Sequence, residues 1–147
     1  MIFVFFLIVL TFAYVLFMSV RNRKGSRIVK FVGPRGCGKT TTLNSLLGIN
    51  GKTVPTLESY KAMYESITIH DVIEKDGCFL EKYGIDDVSA TYFFFLKDLN
   101  DACKHPETKG FDIKLVYFGS CDANKAKERN VIVLNGNPSE IKIYLPN

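Results

Sequence analysis

The chain has 147 residues and a net charge of +4. An apolar run takes up residues 1–20, which leaves one domain of roughly 120 residues, enough for a single core. Beyond a basic stretch at residues 21–30 the sequence is close to neutral, which excludes a general nucleic-acid surface. The cysteines show neither CxxC spacing nor a histidine cluster, so reduced thiols are favoured over a zinc site or a disulfide framework: Cys37, Cys78, Cys103 and Cys121.

The run MIFVFFLIVLTFAYVLFMSV at residues 1–20 contains no acidic, basic or histidine residue. As a helix it would cover about 30 Å, the thickness of a bilayer's hydrocarbon core, so we expect a transmembrane helix. A signal peptide would have a basic start, a core helix this long is unusual in a small domain, and Ile2 excludes N-terminal myristoylation. Five basic residues follow the run with no acidic residue between them, in the linker at residues 21–26 and the segment after it: Arg21, Arg23, Lys24, Arg27 and Lys30. Because positive charge stays on the cytosolic side of a membrane span, we expect the domain to face the cytosol.

A phosphate-binding loop follows the first predicted strand, RIVKFV at residues 27–32, and precedes a predicted helix at residues 41–48. Strand, GxxxxGK[ST] and helix is the context that a P-loop requires. Its glycines let several N–H groups converge on one anion, the lysine can reach the β- and γ-phosphates, and the Thr40 hydroxyl can bind Mg²⁺. We expect the nucleotide to contact Gly33, Pro34, Arg35, Gly36, Cys37, Gly38, Lys39, Thr40 and Thr41.

The segment TVPT at residues 53–56 and the alternating runs YKAMYE and SITIHDV come next. With the P-loop upstream, this arrangement resembles the small GTPases of the Arf/Sar type; without it, TVPT would be read as a solvated loop. The resemblance implies that Thr56 is the first-switch threonine, which meets Mg²⁺ and the γ-phosphate. It also implies that Asp71 reaches the metal through water.

Together with the apolar run, this domain resembles a reduced form of the signal recognition particle receptor β subunits, a family of membrane-anchored small GTPases of the Arf/Sar type. That resemblance implies GTP and Mg²⁺ as ligands and the endoplasmic reticulum membrane as the location. It also implies a role in co-translational targeting, with the receptor α subunit as direct partner. The chain would contact the ribosome and the signal recognition particle only indirectly, and we expect no direct binding to nucleic acid.

Two motifs of the family are altered. Where D-x-x-G should follow the second switch strand, the chain has Asp71-Val72-Ile73-Glu74 and then Lys75; a shifted match at residues 76–77 breaks the spacing. A carboxylate facing a phosphate is repelled, and a lysine cannot orient water as an amide does, so we expect weak or absent hydrolysis and no catalytic residue.

The guanine-reading motif N-K-x-D is reduced to Asp122, which follows the predicted strand at residues 112–118. By position Asp122 would accept the guanine N1 and N2 hydrogens. The alternative is that it caps a helix, as an aspartate after a strand often does. Asn124-Lys125 is a second candidate but lacks the aspartate two residues on.

The remaining segments complete an α/β, doubly wound, mainly parallel sheet of the P-loop small-GTPase type over residues 27–147. Residues 88–98 predict a central strand, residues 98–110 a polar helix or loop, and residues 130–136 the last parallel strand. EIKIYL at residues 140–145 alternates like an edge strand, so the closing helix of such domains is expected to be missing.

Two other functions stay open. One is a membrane-tethered P-loop ATPase or kinase-like enzyme, which needs a catalytic carboxylate that Asp71 could supply. The other is a decayed scaffold that keeps the fold and binds nucleotide poorly, which Glu74, Lys75 and the missing Asn-Lys pair favour.

Overall fold

The computed structural model describes residues 27–53, 57–103 and 108–146, together with Thr11. The predicted span at residues 1–20, the linker at residues 21–26 and the switch residue Thr56 therefore lie outside the described residues, Thr11 apart. Among the residues that are described, none of the helices combines the length and the apolar character needed to cross a bilayer.

Six strands form one sheet, and their positions follow the predicted segments closely. The first strand coincides with the predicted RIVKFV, and the fourth is the aromatic segment expected at the centre. The bounds are β1 Arg27–Val32, β2 Tyr60–Tyr64, β3 Ile67–Asp71, β4 Thr91–Leu96, β5 Asp112–Tyr117 and β6 Val131–Val133.

The sheet order is β2-β3-β1-β4-β5-β6, with every neighbouring pair parallel except the β2–β3 hairpin. From β1 the chain first builds one side of the sheet and then returns to build the other. The strand order therefore reverses at β1, and ligands of open α/β sheets bind outside the carboxyl ends of the strands at such a point.

Helices cover both faces, so the doubly wound α/β fold is confirmed for the described residues. α1 (Lys39–Leu46), which overlaps the predicted helix at residues 41–48, packs Leu43 and Leu46 on one face of β1, β3 and β4. α2 (Phe79–Tyr83) packs on the opposite face, against side chains such as Tyr92 and Phe94. α3 (Ala123–Glu128) lies between β5 and β6, and a 3₁₀ helix, Leu99–Cys103, follows β4.

Lys30, one of the five predicted flanking cations, has a structural role instead. It lies inside β1 and forms an ion pair with Asp86, and its Nζ also donates to the Gly84 carbonyl at 3.4 Å. The Tyr92 ring lies 5.5 Å away. These contacts attach the segment before β4 to the first strand, so Lys30 does not belong to the solvent-exposed basic flank.

The predicted edge strand at residues 140–145 is wrong. Residues Pro138–Tyr144 form a 3₁₀ helix, which begins with proline at its first turn and is capped by Asn137, whose side chain accepts from the Ser139 N–H at 3.3 Å. Ile141 is fully buried against the α1 face of the core. The domain therefore does close with a helix, although a short one, and burial of Ile141 overrides the two-residue alternation.

We expect Ile141→Ala to lower the free energy of unfolding by about 3 kcal/mol, because it empties a fully packed site. Ile143→Ala is the matched control, since Ile143 is 79% exposed in the same helix and should change stability little. Urea unfolding of the full chain in detergent measures both. Equal effects of the two substitutions would contradict this packing.

Candidate functional site

A cleft of about 750 Å³ opens at the carboxyl ends of β1, β3, β4 and β5, where the strand order reverses. Its floor is the loop between β1 and α1. The rest of the wall comes from strand ends and from the chain after α1. The residues that line it are 35–41, Thr53, Asp71, Ile73, Leu96, Lys97 and 117–119.

The loop takes a glycine-dependent path. Gly33, Gly36 and Gly38 all have positive φ angles, of 134°, 77° and 95°. Two of them also lie against neighbours: a Cβ on Gly33 would be 2.4 Å from the Phe95 carbonyl oxygen, and one on Gly38 would be 2.8 Å from the Phe118 ring. The path of the loop therefore depends on glycine at these positions of the sequence motif.

Lys39 is buried and holds the loop together through its ammonium group. Nζ donates to the carbonyl oxygens of Gly33 at 2.6 Å and Pro34 at 2.7 Å, and lies 3.7 Å from the Cys37 sulfur. An ammonium has three donors, and sulfur is a weak acceptor. A phosphate oxygen can replace the sulfur contact while both carbonyl bonds stay in place.

Cys37 closes the loop from inside. Its Sγ donates to the Pro34 carbonyl at 2.8 Å, and the side chain is buried. Burial raises the pKa of the thiol, against the opposing effect of the nearby Lys39 ammonium. Cys37 is therefore a neutral packing residue in the P-loop.

Thr40 and Asp71 form the polar pair of the site. The Thr40 hydroxyl donates to Asp71 Oδ2 at 2.7 Å, and Asp71 is the last residue of β3, with only 1% of its surface exposed. Burial raises the pKa of the Asp71 carboxyl, while the Thr40 hydrogen bond and the Lys39 charge oppose the rise. The pairing of β3 with β1 is what brings these two residues together.

This pair fits the oxygen ligands that Mg²⁺ prefers. Within the described residues no group of three or more His, Cys, Asp or Glu side chains could hold a metal. Mg²⁺ commonly binds through one or two protein oxygens, waters and phosphates of its substrate. Thr40 and Asp71 would hold such an ion, and the ion would neutralise charge on the phosphates.

The Asp71 carboxyl makes stability depend on pH. Its pKa in the folded chain lies above the ordinary value of 3.8, so folding is favoured while it is protonated and loses free energy as it ionises. We expect Asp71→Asn, without Mg²⁺ or nucleotide, to become more stable than the wild type as pH rises from 3.8 through the raised pKa. Above that window the difference should be constant. Urea unfolding at a series of pH values measures it, and a pH-independent difference would contradict the buried carboxylate.

The chain before Thr56 lines the cleft at Thr53, and the chain after it bonds to a residue that lines the cleft. Thr53 lines the cleft, and its hydroxyl oxygen lies 3.2 Å from that of Thr41. On the other side, the Ser59 hydroxyl accepts from the Ile73 N–H at 3.0 Å, which links this segment to the chain after β3. The metal-binding role of Thr56 itself stays a prediction.

The altered third motif continues β3 and then turns toward α2. The Val72 N–H donates to the Phe31 carbonyl at 3.0 Å, and Ile73 lines the cleft. Glu74 is half-buried, and Lys75 is exposed with its N–H donating to the Lys82 carbonyl at 2.9 Å. Neither Glu74 nor Lys75 is among the described residues that line the cleft, so their effect on hydrolysis stays a prediction.

Asp122 caps α3: its Oδ1 accepts from the Asn124 N–H at 2.9 Å, and the side chain is exposed. Asp122 is not among the described residues lining the cleft, whose wall at this end is residues 117–119. The capping alternative is thus realised, and the guanine contact stays a prediction. Sequence reasoning missed Lys97 and Phe118 as cleft residues, although each lies at the carboxyl end of a predicted strand.

In comparisons with known proteins, no family model matches this chain and no similar curated protein is found. The functional case therefore depends on the P-loop, the Thr40–Asp71 pair and their place in the sheet.

Proposed function

We propose that the chain is a membrane-anchored nucleotide-binding subunit that holds Mg²⁺–GTP at the P-loop. The observation that carries this proposal is the combination of Lys39 and the Thr40–Asp71 pair at the carboxyl ends of β1 and β3. A lysine ammonium, converging loop N–H groups and an oxygen pair for Mg²⁺ are the parts that bind a triphosphate in P-loop proteins. No other described cluster in the chain places a buried lysine next to such an oxygen pair.

GTP rather than ATP, and a small-GTPase type of fold, are the finer parts of the proposal. Their support is the sheet order with one antiparallel edge strand, together with the TVPT segment before β2. With the apolar run at residues 1–20, the proposed biological role is that of a signal recognition particle receptor β subunit. It would face the cytosol from the endoplasmic reticulum membrane and dock the receptor α subunit for co-translational targeting.

Hydrolysis is proposed to be weak or absent. Glu74 stands where the D-x-x-G pattern has glycine, and Lys75 is tied by its backbone to α2. No described side chain next to the cleft has the amide or imidazole that orients an attacking water in related mechanisms. Bound nucleotide would then order the partner-binding surface instead of driving a reaction cycle.

Two measurements on the full chain in detergent test these points. Competition between GTP and ATP for one fluorescent GTP analogue should favour GTP, and a single-turnover assay should show bound GTP persisting for many minutes. Clear preference for ATP, or rapid phosphate release, would instead support the ATPase alternative.

Asp122 caps the N-terminus of α3, and this favours one second candidate function. In it the chain is a scaffold that keeps the fold but does not recognise the guanine base. In that case GTP and ATP would compete equally, or both would fail to bind although Lys39 is present. The same competition experiment separates the two candidates.

A further inference from the structure

We propose that the amino-terminal edge of the sheet is a membrane-contact surface, on which Ile143 and Tyr144 touch the lipid interface. This inference rests on the anchored topology of the proposed function, but not on nucleotide binding. The edge is opposite the cleft, and it begins at Arg27, the first residue of β1.

Two contacts place the end of the C-terminal 3₁₀ helix at this edge. The Lys142 ammonium lies 5.9 Å from the ring of Tyr64, which pairs with Ile67 at the start of β3. The Tyr144 carbonyl accepts from Lys114 Nζ at 3.0 Å, in the first half of β5. Ile67 is in turn the register partner of Arg27. The last turn of the helix thus lies toward the amino-terminal half of the sheet, the half that the chain enters at Arg27.

The side chains at this place are apolar and exposed. Ile143 is 79% exposed and Tyr144 is 40% exposed, whereas their neighbours Ile141 and Leu145 are buried in the core. Tyrosine is enriched where a protein meets lipid headgroups, since its ring is apolar and its hydroxyl stays hydrated. A single exposed isoleucine is common on protein surfaces and needs no explanation by itself. The argument for lipid contact is the position of Ile143 and Tyr144 relative to the proposed membrane anchor at residues 1–20.

The short linker limits how far this edge can lie from the membrane. Only residues 21–26 separate the apolar run from Arg27, and six residues reach at most about 20 Å when fully extended. An anchored domain therefore keeps its amino-terminal edge within about 20 Å of the hydrocarbon core. The cleft lies one strand length further away, which is about 20 Å for β1.

Charge plays a smaller part in the proposed contact. Arg27 and Lys142 are exposed near this edge, but Glu65, in the β2–β3 turn, is exposed there as well, and Lys30 is already paired with Asp86. These described charges leave a small positive excess, and the three basic residues of the linker at residues 21–26 add to it. We therefore expect the apolar pair to contact a neutral bilayer, and the contact to increase when anionic lipid is added.

The absence of tryptophan from the sequence allows a direct test. Full-length Ile143→Trp and Tyr144→Trp, each with one tryptophan, would be reconstituted into phosphatidylcholine vesicles that contain brominated lipid. Leu57→Trp is the matched control, because Leu57 is 87% exposed and lies just before β2, at the cleft side of the sheet. A further variant combines Ile143→Asp with Tyr144→Trp. Its comparison with Tyr144→Trp alone shows whether Ile143 is needed for the lipid contact at position 144.

We expect brominated lipid to quench tryptophan at positions 143 and 144 several-fold more than at position 57, and Ile143→Asp to reduce the quenching at 144. Equal quenching at all three positions, or none at 143 and 144, would overturn the inference. So would shielding from aqueous acrylamide without lipid quenching, which would indicate a protein partner or a second copy.

Extraction by alkaline carbonate, and GTP binding, are measured on the same samples. Release by carbonate means that the anchor fails and the surface with it. If the protein stays in the membrane and binds GTP normally but shows no quenching, the membrane-contact surface is wrong while the proposed function stands.

Discussion

Replacing Lys39 by alanine should weaken GTP binding by about 100-fold, because it removes a charge-assisted hydrogen bond to phosphate together with the loop's internal clamp. The Lys39 ammonium holds the carbonyl groups of Gly33 and Pro34 at 2.6 and 2.7 Å and is buried beneath the cleft. In the variant the Gly33 carbonyl loses this donor and the Pro34 carbonyl keeps only the Cys37 thiol. The phosphates would lose their only deeply placed cation among the described residues. Fluorescence titration of the full chain with a GTP analogue measures the loss.

Lys127→Ala is the control for charge, because Lys127 is exposed on α3, outside the cleft. It should bind GTP as the wild type does. Circular dichroism shows whether Lys39→Ala remains folded. If the folded Lys39→Ala chain bound GTP with wild-type affinity, the P-loop would not be the nucleotide site.

Gly33→Ala should be the most destabilising single substitution in the loop, with a loss of about 4 kcal/mol in the free energy of unfolding. Gly33 has a φ of 134°, which L-residues rarely adopt. A Cβ there would also lie 2.4 Å from the backbone oxygen of Phe95, in the central strand β4, where neither partner can move cheaply. Both the strain and the overlap act on the core of the fold.

Gly36→Ala separates the two causes. Gly36 also has positive φ, but a Cβ there would meet nothing within 4 Å. It should therefore cost about 1 kcal/mol, the strain of a left-handed conformation alone. Urea unfolding of both variants in detergent gives the comparison; similar losses would show that the contact with Phe95 does not constrain the loop.

The fold could be predicted where sequence signals are local and strong. RIVKFV, the glycine-rich loop and the leucine face of α1 form one continuous motif, and the structure places them as expected. The β2–β3 hairpin follows from alternation, which the pairing of Tyr64 with Ile67 closes through a tight turn. These parts already fix the switch point of the sheet and hence the location of the cleft.

Other parts depend on contacts between residues far apart in the sequence. The segment at residues 140–145 alternates like a strand, but the site for Ile141 exists only once α1 and the sheet are packed together. Lys30 reads as a flanking cation because its partner Asp86 is 56 residues away. Asp122 fits two descriptions in the sequence, and the start of α3 shows the capping role, whereas base recognition needs the nucleotide.

The most direct test of the central claim is equilibrium binding of GTP to the full chain in detergent, with Mg²⁺ and then with EDTA. We predict saturable binding of one GTP per chain that weakens strongly when Mg²⁺ is removed, because the hydrogen-bonded Thr40 and Asp71 would supply the oxygen pair for the ion. Absence of saturable binding in the folded, Mg²⁺-supplied protein would contradict the account.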